Sequence, residues 1–232
     1  MVKKKNKDFS VIFVLGPPGS GKGTQIKLLA EKLGYYHFIS SKIGKDYVNS
    51  HNDLETLRQM GRYKKGLLWD REWMFKVVKE KTEEFISDND KCKGIIYDGS
   101  PRTLYEAEKL YEFLKNKIGK ENIKIIEIDV DIEELLERIE KRLICSNSSE
   151  HVYIRSEKFL PGIPCPESDG ILEERDLDKK EIFKIRIEEY KKETLPGLDY
   201  LKKQHDVIVI NGDQTIEKVH KDIWLALRQK KK

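Results

Sequence analysis

The stretch from Val11 to Leu29 reads VIFVLGPPGSGKGTQIKLL and has the residue types and spacing of a phosphate-binding loop. Its glycines let successive backbone N–H groups point into one concavity, the N-terminus of the following helix adds positive potential, and the lysine of the G-x4-GK pattern reaches the outer phosphates. An apolar run before the loop and helical periodicity after it supply the required strand–loop–helix context. The sequence therefore predicts that a nucleotide's phosphates bind the loop residues Gly19, Ser20, Gly21, Lys22, Gly23 and Thr24.

A second charged stretch, DGSPRTLYEAE, begins at Asp98, directly after another apolar run. An acid at the C-terminal edge of a parallel strand beside a phosphate loop lies where such sheets bind their ligands. Arg102 presents a planar fork of donors that suits a phosphate bidentately. Glu106 adds a second carboxylate, which restricts the ligands that could bind there. The stretch therefore predicts a charged surface that faces the same ligand as the phosphate loop.

The elements that must position these residues follow from the alternation of short β-branched runs with long amphipathic stretches. This alternation is typical of a parallel sheet with helices on both faces. The predicted strands are Ser10–Leu15, Tyr36–Ile39, Gly94–Asp98, Ile123–Asp129 and Val207–Asn211. One predicted helix begins after Gly21, and the others cover 70–85, 103–114, 132–142, 179–190 and 216–227. Two stretches interrupt the alternation: a polar and helical one at 41–69, and one rich in Pro, Gly and Ser at 143–174.

Length and charge limit the class of protein further. A chain of 232 residues can form one core with inserted segments. Its net charge of +4 suits a small polyanionic ligand, whereas a nucleic-acid partner more often requires a concentrated basic stripe. The lysine clusters Lys3–Lys5 and Lys230–Lys232 are interpreted as solvated tails. We therefore expect no nucleic-acid partner.

Cysteine usage and hydropathy indicate the compartment. The three cysteines, Cys92, Cys145 and Cys165, are an odd number in a chain whose first residues form no apolar leader, which favours a reducing interior over a disulfide framework. No run approaches the ~18 apolar residues of a membrane span. The expectation is a cytoplasmic protein without a membrane partner.

Three motifs together resemble the adenylate kinase family. GPPGSGKGT is similar to the family's GxPGxGKGT, and DGSPRT to its DGFPRT, with Ser100 in place of the aromatic residue. EERDLDKKEIFKIRIEEY places further arginines in register, so the resemblance extends from Val11 to about Tyr190. It implies an α/β P-loop kinase with a five-stranded parallel sheet. The core would comprise 1–40, 70–142 and 175–232, the insert that binds the nucleoside monophosphate 41–69, and the closing lid 143–174.

The resemblance also implies a role for each matching residue. Asp98 would hold Mg²⁺ through water, and Ser41, Gly99, Arg102 and Glu106 would bind the acceptor. Arg138 and Arg142, four residues apart and therefore on one predicted helix face, would lie against the base and phosphates of the donor. The backbone near Gln214 would meet the donor adenine. Lys22, Arg102, Arg142, Arg175 and Arg186 would be catalytic, with Arg175 and Arg186 contacting phosphate.

The implied reaction converts ATP and AMP into two ADP with Mg²⁺ as cofactor. We expect a monomer, because the active surfaces must open and close. Other interpretations stay open: a kinase for GMP or a pyrimidine monophosphate, a nucleotide-binding regulator with weak kinase activity, or an ATPase that moves nucleic acid. The altered acceptor motif permits the regulator, whereas the chain offers the ATPase no basic or aromatic strip beyond its tails.

Glu106 departs from the family, which has a glutamine there to read the acceptor base. An ionised carboxylate only accepts hydrogen bonds. It could meet adenine N6–H while facing the N1 lone pair, or meet guanine N1–H and N2–H together. A protonated carboxyl could imitate glutamine, and a solvent-facing glutamate is the remaining alternative. The sequence does not decide which acceptor is preferred.

Two other motifs, one in the lid and one in the acceptor insert, depart from the family. Some relatives bind structural zinc in the lid through four ligands, and the corresponding positions here are Cys145, Ser148, Cys165 and Ser168. Two thiols and two hydroxyls are a poor zinc site, so we expect a hydrogen-bonded cluster instead of zinc. The family's STGDxxR reads SSKIGKD, which places Asp46 at the arginine position and leaves Lys45 or Arg62 to supply the charge.

Overall fold

Parallel strands form the centre of the molecule in a computed structural model that describes residues 9–51, 53–88 and 92–229. The two terminal lysine clusters lie outside these residues. In chain order the elements are β1 (Ser10–Leu15), α1 (Lys22–Leu33), β2 (Tyr36–Ile39), α2 (Ser40–Ser50), α3 (Leu54–Lys64), α4 (Arg71–Ser87), β3 (Gly94–Asp98), α5 (Leu104–Ile118), β4 (Ile123–Asp129), α6 (Ile132–Glu140), β5 (Arg142–Cys145), β6 (Ser148–Ile154), β7 (Leu172–Glu173), α7 (Lys180–Glu189), α8 (Leu195–Gln204), β8 (Val207–Asn211) and α9 (Ile216–Arg228). A π-helical turn, Tyr190–Thr194, joins α7 to α8.

The central sheet has the order β2-β3-β1-β4-β8, with all its strands parallel. Its five strands have the predicted bounds, and the predicted fold class is confirmed. Because β1 and β3 are neighbours in register, Val14 lies opposite Asp98. The C-terminal edge of the sheet therefore brings the phosphate loop and DGSPRT together.

Apolar side chains cover both faces of this sheet. One face packs Phe13 and Tyr97 against helices α5 and α8, and the other packs Ile12 and Ile126 against α1 and α9. Burial on both faces explains why the strands are continuously apolar rather than alternating. The sheet is therefore a rigid support, and the residues beyond its C-terminal edge are free to bind ligands.

The predicted helices are present, but one boundary corrects a prediction. The helix expected over 132–142 ends at Glu140, and Arg142 begins strand β5. Arg138 and Arg142 therefore do not share a helix face. Pairing with the next strand explains the early end, because Arg142 lies opposite Ile154 in an antiparallel ladder.

Residues 143–174 form an ordered unit, which we call the lid. Strands β6, β5 and β7 make a three-stranded antiparallel sheet. Leu143, Cys145, Cys165 and Leu172 form a small apolar cluster beneath it.

The stretch from 41 to 69 is helical, as predicted, and we call it the insert. Of the described helices, none has the length and apolar character needed to cross a membrane.

Candidate active site

The phosphate loop ends in a helix whose first N–H groups face the loop. Gly19 and Gly21 adopt positive φ angles of 88° and 82°, a conformation that glycine accepts at little cost. Gly21 caps α1 without a side-chain hydrogen bond, and Thr24 lies in the first turn. The Ser20 hydroxyl is buried and has no hydrogen-bond partner among the described residues. The loop therefore offers unsatisfied donors at the positive end of a helix, as an anion site requires.

Lys22 extends back across the loop, where its Nζ donates to the Pro17 carbonyl at 3.0 Å. Burial lowers the pKa of Lys22 to about 7, against the attraction of Asp98 and with help from Arg102, Arg186 and Arg142. A bound polyphosphate would supply the missing negative charge. The lysine is therefore placed for an anion that neutralises it.

Asp98 lies between the phosphate loop and strand β2. His37 Nε2 is 3.2 Å from Asp98 Oδ2, and a Cβ built on Gly23 would be 3.4 Å from the same oxygen. Burial alone would raise the pKa of Asp98, but the His37 hydrogen bond, Lys22 and Arg102 outweigh it and lower the pKa. An ionised carboxylate beside a phosphate loop provides an oxygen ligand of the kind that Mg²⁺ prefers.

A cleft that encloses about 820 Å³ of space, part of it open solvent, lies above the sheet edge. Six predicted residues line it: Lys22, Ser41, Gly99, Arg102, Arg175 and Arg186. Tyr63 and Trp69 of the insert also line it. The structure therefore brings together residues that are up to 164 positions apart in the chain, counting from Lys22 to Arg186.

Asp178 joins two of the predicted arginines at one edge of the cleft. Its carboxylate accepts from Arg142 Nε at 2.7 Å and from Arg186 Nη1 at 3.1 Å. Arg186 also donates to the Leu177 carbonyl at 3.0 Å. Burial lowers the pKa of Arg186 to about 9, with Arg175 adding to the effect and Asp178 opposing it. The guanidinium remains charged at neutral pH and is held in a fixed orientation.

The other three cations that line the cleft are not paired with a carboxylate in the part of the chain that the structure describes. Among the ion pairs found within the described ranges, none links Lys22, Arg102 or Arg175 to a carboxylate within 4.0 Å. The Thr194 hydroxyl donates to the Arg102 carbonyl at 2.7 Å, which fixes the Arg102 backbone. Positive charges gathered in a partly buried cleft repel one another, so the arrangement favours a bound polyanion.

Arg138 and Gln214 lie at a separate place beside the loop. Arg138 Nη2 donates to the Gly212 carbonyl at 2.7 Å, and its Nε donates to Glu134 at 2.8 Å. Gln214 Nε2 donates to the Asn211 carbonyl at 2.7 Å. Neither side chain lines the cleft, but the hydrogen bond to Gly212 brings Arg138 next to the segment that contains Gln214.

Glu106 lies in a smaller adjoining cavity of about 260 Å³, which Ser41, Trp69 and Met74 also line. Its side chain is buried, so the solvent-facing alternative is wrong. The carboxylate accepts from the Arg102 N–H at 3.2 Å and from the Ser100 hydroxyl at 3.3 Å. Burial raises the pKa of Glu106 to about 7, although these bonds and the Arg102 charge oppose it. The Ser40 hydroxyl in this cavity is unpaired within the described part of the chain.

The lid cluster differs from the expected four positions. The Cys145 and Cys165 sulfurs and a ring nitrogen of His151 lie within 4.8 Å of one another. Ser168 Oγ is 3.0 Å from Cys145 Sγ, whereas Ser148 Oγ accepts from the Glu150 N–H. Burial would raise the pKa of the Cys165 thiol, but hydrogen bonds from Ser168, Tyr153 and the Glu167 backbone lower it. His151 therefore joins the cluster in place of Ser148.

The sequence did not identify several residues of the site. Tyr63 lies in a charged stretch that looks like ordinary helix surface, whereas Asp178 is in register with the family in EERDLDKKEIFKIRIEEY but had no role assigned to it. His37 is on a predicted strand next to the Asp98 strand, so strand adjacency could have identified it. His151 is three residues after Ser148, and no local pattern indicates that its ring turns towards the cysteines. These residues depend on tertiary contacts.

A glycine-rich strand–loop–helix at a sheet edge, beside a cationic cleft, defines a P-loop phosphotransferase. A family model described as adenylate kinase matches residues 14–206. The adenylate kinase of Methanocella arvoryzae is 36% identical over 220 residues, which cover 94% of this chain and 98% of that protein. Adenylate kinases of Thermoanaerobacter sp. strain X514 and Chlamydia trachomatis serovar D are each 33% identical to this chain over 93% of its length. These matches cover 97% and 89% of the two relatives, respectively. The chain belongs to the adenylate kinase family.

Proposed function

We propose that this phosphotransferase transfers the γ-phosphate of ATP reversibly to AMP, giving two ADP. The observation that carries the proposal is the cleft beside the phosphate loop, in which Lys22, Arg102 and Arg175 lack carboxylate partners among the described residues. The triphosphate of ATP and the phosphate of AMP, meeting there, would neutralise this charge. Family membership supports the same reaction.

On the donor side, the loop amides from Gly19 to Thr24 and the Lys22 ammonium would bind the ATP phosphates. Arg138 would lie against the donor base, and the backbone near Gln214 would meet adenine. A Cβ built on Gly19 would be 3.3 Å from the Ile139 side chain, so α6 packs against the loop. This packing supports a donor site shared by the loop and α6.

On the acceptor side, Arg102, Arg175 and Arg186 would hold the phosphate of AMP, with Ser41 and Gly99 beside the nucleotide. The guanidinium of Arg102 packs against Gly99, since a Cβ there would be 2.6 Å from Arg102 Nη2. Arg142 would stabilise the transferring group through the position that Asp178 gives it. The acceptor oxygen is already anionic at neutral pH, so the reaction requires no general base.

Asp98 fits a magnesium site, because its carboxylate is kept ionised and lies against the start of α1. It would hold Mg²⁺ through water. When bound, the ion neutralises charge on the phosphate oxygens. The residues of this chain align the two nucleotides, and closure of the insert and lid excludes water that would otherwise hydrolyse ATP.

Purified protein with ATP and Mg²⁺, offered AMP, GMP, UMP, CMP and dTMP in turn, tests the proposed function. We expect ADP from AMP at the highest kcat/KM. Transfer to none of the five would overturn the proposal and favour the nucleotide-binding regulator.

We also propose a cytoplasmic monomer, because all three cysteines are free thiols and the insert and lid must move. Light scattering after size-exclusion chromatography measures the oligomeric state.

Glu106→Gln should change how the KM for AMP depends on pH. As pH rises through 7, Glu106 loses the proton that it could donate to adenine N1. Glutamine keeps an N–H donor at every pH. A mismatched buried hydrogen bond costs about 1–3 kcal/mol, so the ratio of wild-type KM to variant KM should rise roughly tenfold between pH 6 and 8.

Steady-state kinetics at pH 6, 7 and 8 measure this ratio, in which titration of AMP itself cancels. Glu108→Gln, two residues along the same helix, is the matched control and should follow the wild type. Parallel pH profiles for wild type and Glu106→Gln would show that this carboxyl does not read the base.

We propose that hydrogen bonds, rather than zinc, hold the lid cluster together. Structural zinc takes four ligands, and Cys145, His151 and Cys165 provide three. A chain of hydrogen bonds continues outwards from Cys165 to Tyr153, from Tyr153 to Glu167 at 2.8 Å, and from Glu167 to Lys27 at 3.1 Å. These contacts tie the lid to α1 without a metal.

Metal analysis and thermal unfolding test the lid proposal. Wild-type protein should contain no more zinc than Cys165→Ala, and EDTA should leave its Tm unchanged. Cys165→Ala should lower Tm by about 2–8 °C, because one or two buried contacts are lost at ~2–4 °C per kcal/mol. One equivalent of zinc in the wild type, together with a lower Tm in EDTA, would contradict the proposal.

A further inference from the structure

Tyr63 is an aromatic residue of the insert that borders the cleft. It lies on α3 and lines the cleft together with Arg102 and Arg175. Its ring stacks on that of Trp69, with centroids 5.0 Å apart and an interplanar angle of 19°. Trp69 is buried, so it holds the phenol ring in a fixed orientation. The free end of that ring is its hydroxyl.

Lys45 is a cation of the insert that lies over the Tyr63 ring. On α2 it comes one turn after Ser41, so the two side chains share a helix face, and Ser41 lines the cleft. Lys45 Nζ lies over the Tyr63 ring, 4.8 Å from its centroid, and the lysine helps to lower the pKa of the phenol. No carboxylate pairs with Lys45 in the ion pairs of the described ranges. The phenol is therefore a main partner of this lysine.

The electrostatic environment of Tyr63 also indicates an anion site. Burial would raise the pKa of Tyr63, yet Arg175, Lys45 and Arg102 together lower it. Three cations thus act on a single neutral hydroxyl. Such a hydroxyl is a strengthened hydrogen-bond donor, and an anion placed against it would also be attracted by the surrounding charges.

Asp46 and Arg62 of the insert do not have this placement. Asp46 is exposed and follows Lys45 by one residue, which on a helix is a turn of about 100° away from the shared face. Arg62 Nε donates to the Leu68 carbonyl at 2.9 Å and so braces the segment before α4. Of the two cations that the sequence left open, the structure favours Lys45.

We propose that Tyr63 and Lys45 complete the acceptor-phosphate subsite. The Tyr63 hydroxyl donates a hydrogen bond to the phosphate of the nucleoside monophosphate, and Lys45 is a positioning residue that orients and polarises this hydroxyl. The pair supplies positive potential where SSKIGKD lacks an arginine. This inference rests on the proposed function, and it adds a recognition element for the acceptor that is specific to the phosphate.

Tyr63→Phe and Lys45→Met test the pair. Tyr63→Phe keeps the ring that stacks on Trp69, so the fold is retained. Each variant should raise the KM for AMP about tenfold, since a hydrogen bond to a charged group is lost, while the KM for ATP and kcat stay within about twofold. Calorimetry should show weaker AMP binding and unchanged adenosine binding, because adenosine has no phosphate.

Three comparisons separate this proposal from a merely structural role. Lys64→Met removes an exposed lysine from the same helix as Tyr63 and should behave as wild type. Arg62→Met should leave the KM for AMP unchanged and lower Tm. The double variant Lys45→Met/Tyr63→Phe should be no more than about twofold worse than either single variant, because coupled residues are not additive.

The outcomes distinguish this inference from the proposed function. If the wild type transfers phosphate to AMP and Tyr63→Phe retains the wild-type KM for AMP, the phosphate-contacting role of Tyr63 is wrong. If Arg62→Met raises that KM while Lys45→Met does not, the assignment to Lys45 is wrong. If the wild type transfers phosphate to no acceptor, the proposed function itself fails.

Discussion

Lys22→Ala is expected to lower kcat on the order of 10³-fold, the loss that follows removal of one preorganised charge-stabilising donor. The ammonium is placed over the loop by its bond to the Pro17 carbonyl, and alanine cannot replace either the charge or the reach. The free energy of unfolding should not fall, because burying this lysine without a carboxylate partner costs stability in the unliganded protein. Coupled-enzyme kinetics and thermal unfolding measure the two effects.

Proton linkage provides a second test of Lys22. With a pKa of about 7, the lysine is partly deprotonated at pH 7.5 in the unliganded protein, and a bound triphosphate raises that pKa. ATP binding should therefore take up protons, which calorimetry in buffers of different ionisation enthalpy detects. Lys221→Ala, an exposed lysine on α9, is the control. Near-normal turnover of Lys22→Ala would exclude the proposed role.

Arg102→Ala is expected to lower kcat/KM for AMP by about 10³-fold or more, the scale of a transition-state arginine. Its guanidinium packs on Gly99, its backbone is held by Thr194 and Glu106, and no carboxylate neutralises it among the described residues. The KM for ATP should change little. Arg102→Lys should recover only part of the loss, since a lysine cannot form a bidentate contact.

Arg58→Ala is the control for this prediction, because Arg58 is an exposed arginine of the insert. The Tm of Arg102→Ala should lie within a few degrees of wild type, because the guanidinium makes no ion pair in the described structure that its removal would break. A fully active Arg102→Ala variant would refute the acceptor-phosphate assignment. Loss of ATP binding as well as AMP binding would place Arg102 on the donor side instead.

Local patterns were enough to predict the central sheet. Strands such as Ile123–Asp129 are short, β-branched and buried on both faces, so the pattern that marks them is contained within their own residues. The phosphate loop was predictable for a related reason, because its glycine conformations and helix start are set by adjacent residues. Both features are local consequences of sequence.

Features that depend on long-range contacts were not predictable in this way. Arg142 continued the helical pattern of α6, but pairing with Ile154 in the lid placed it on a strand. The sequence did not decide whether the Glu106 side chain contacts the acceptor or faces solvent, because its burial depends on Trp69 and Met74 of another segment. His151 and Tyr63 likewise acquire their partners only when distant elements pack together. Tertiary packing overrode local propensity in each case.

The Asp178 carboxylate, which joins Arg142 to Arg186, lies where the chain enters and leaves the lid. Arg142 begins the strand that enters the lid, and Asp178 follows the strand that leaves it, so their two hydrogen bonds tie both connections of the lid at its base. In the proposed mechanism, a movement of the lid beyond this tie would leave these arginines in position. The two arginines are held in place in the unliganded protein, so the entropy of ordering their side chains is lost at folding rather than when a nucleotide binds.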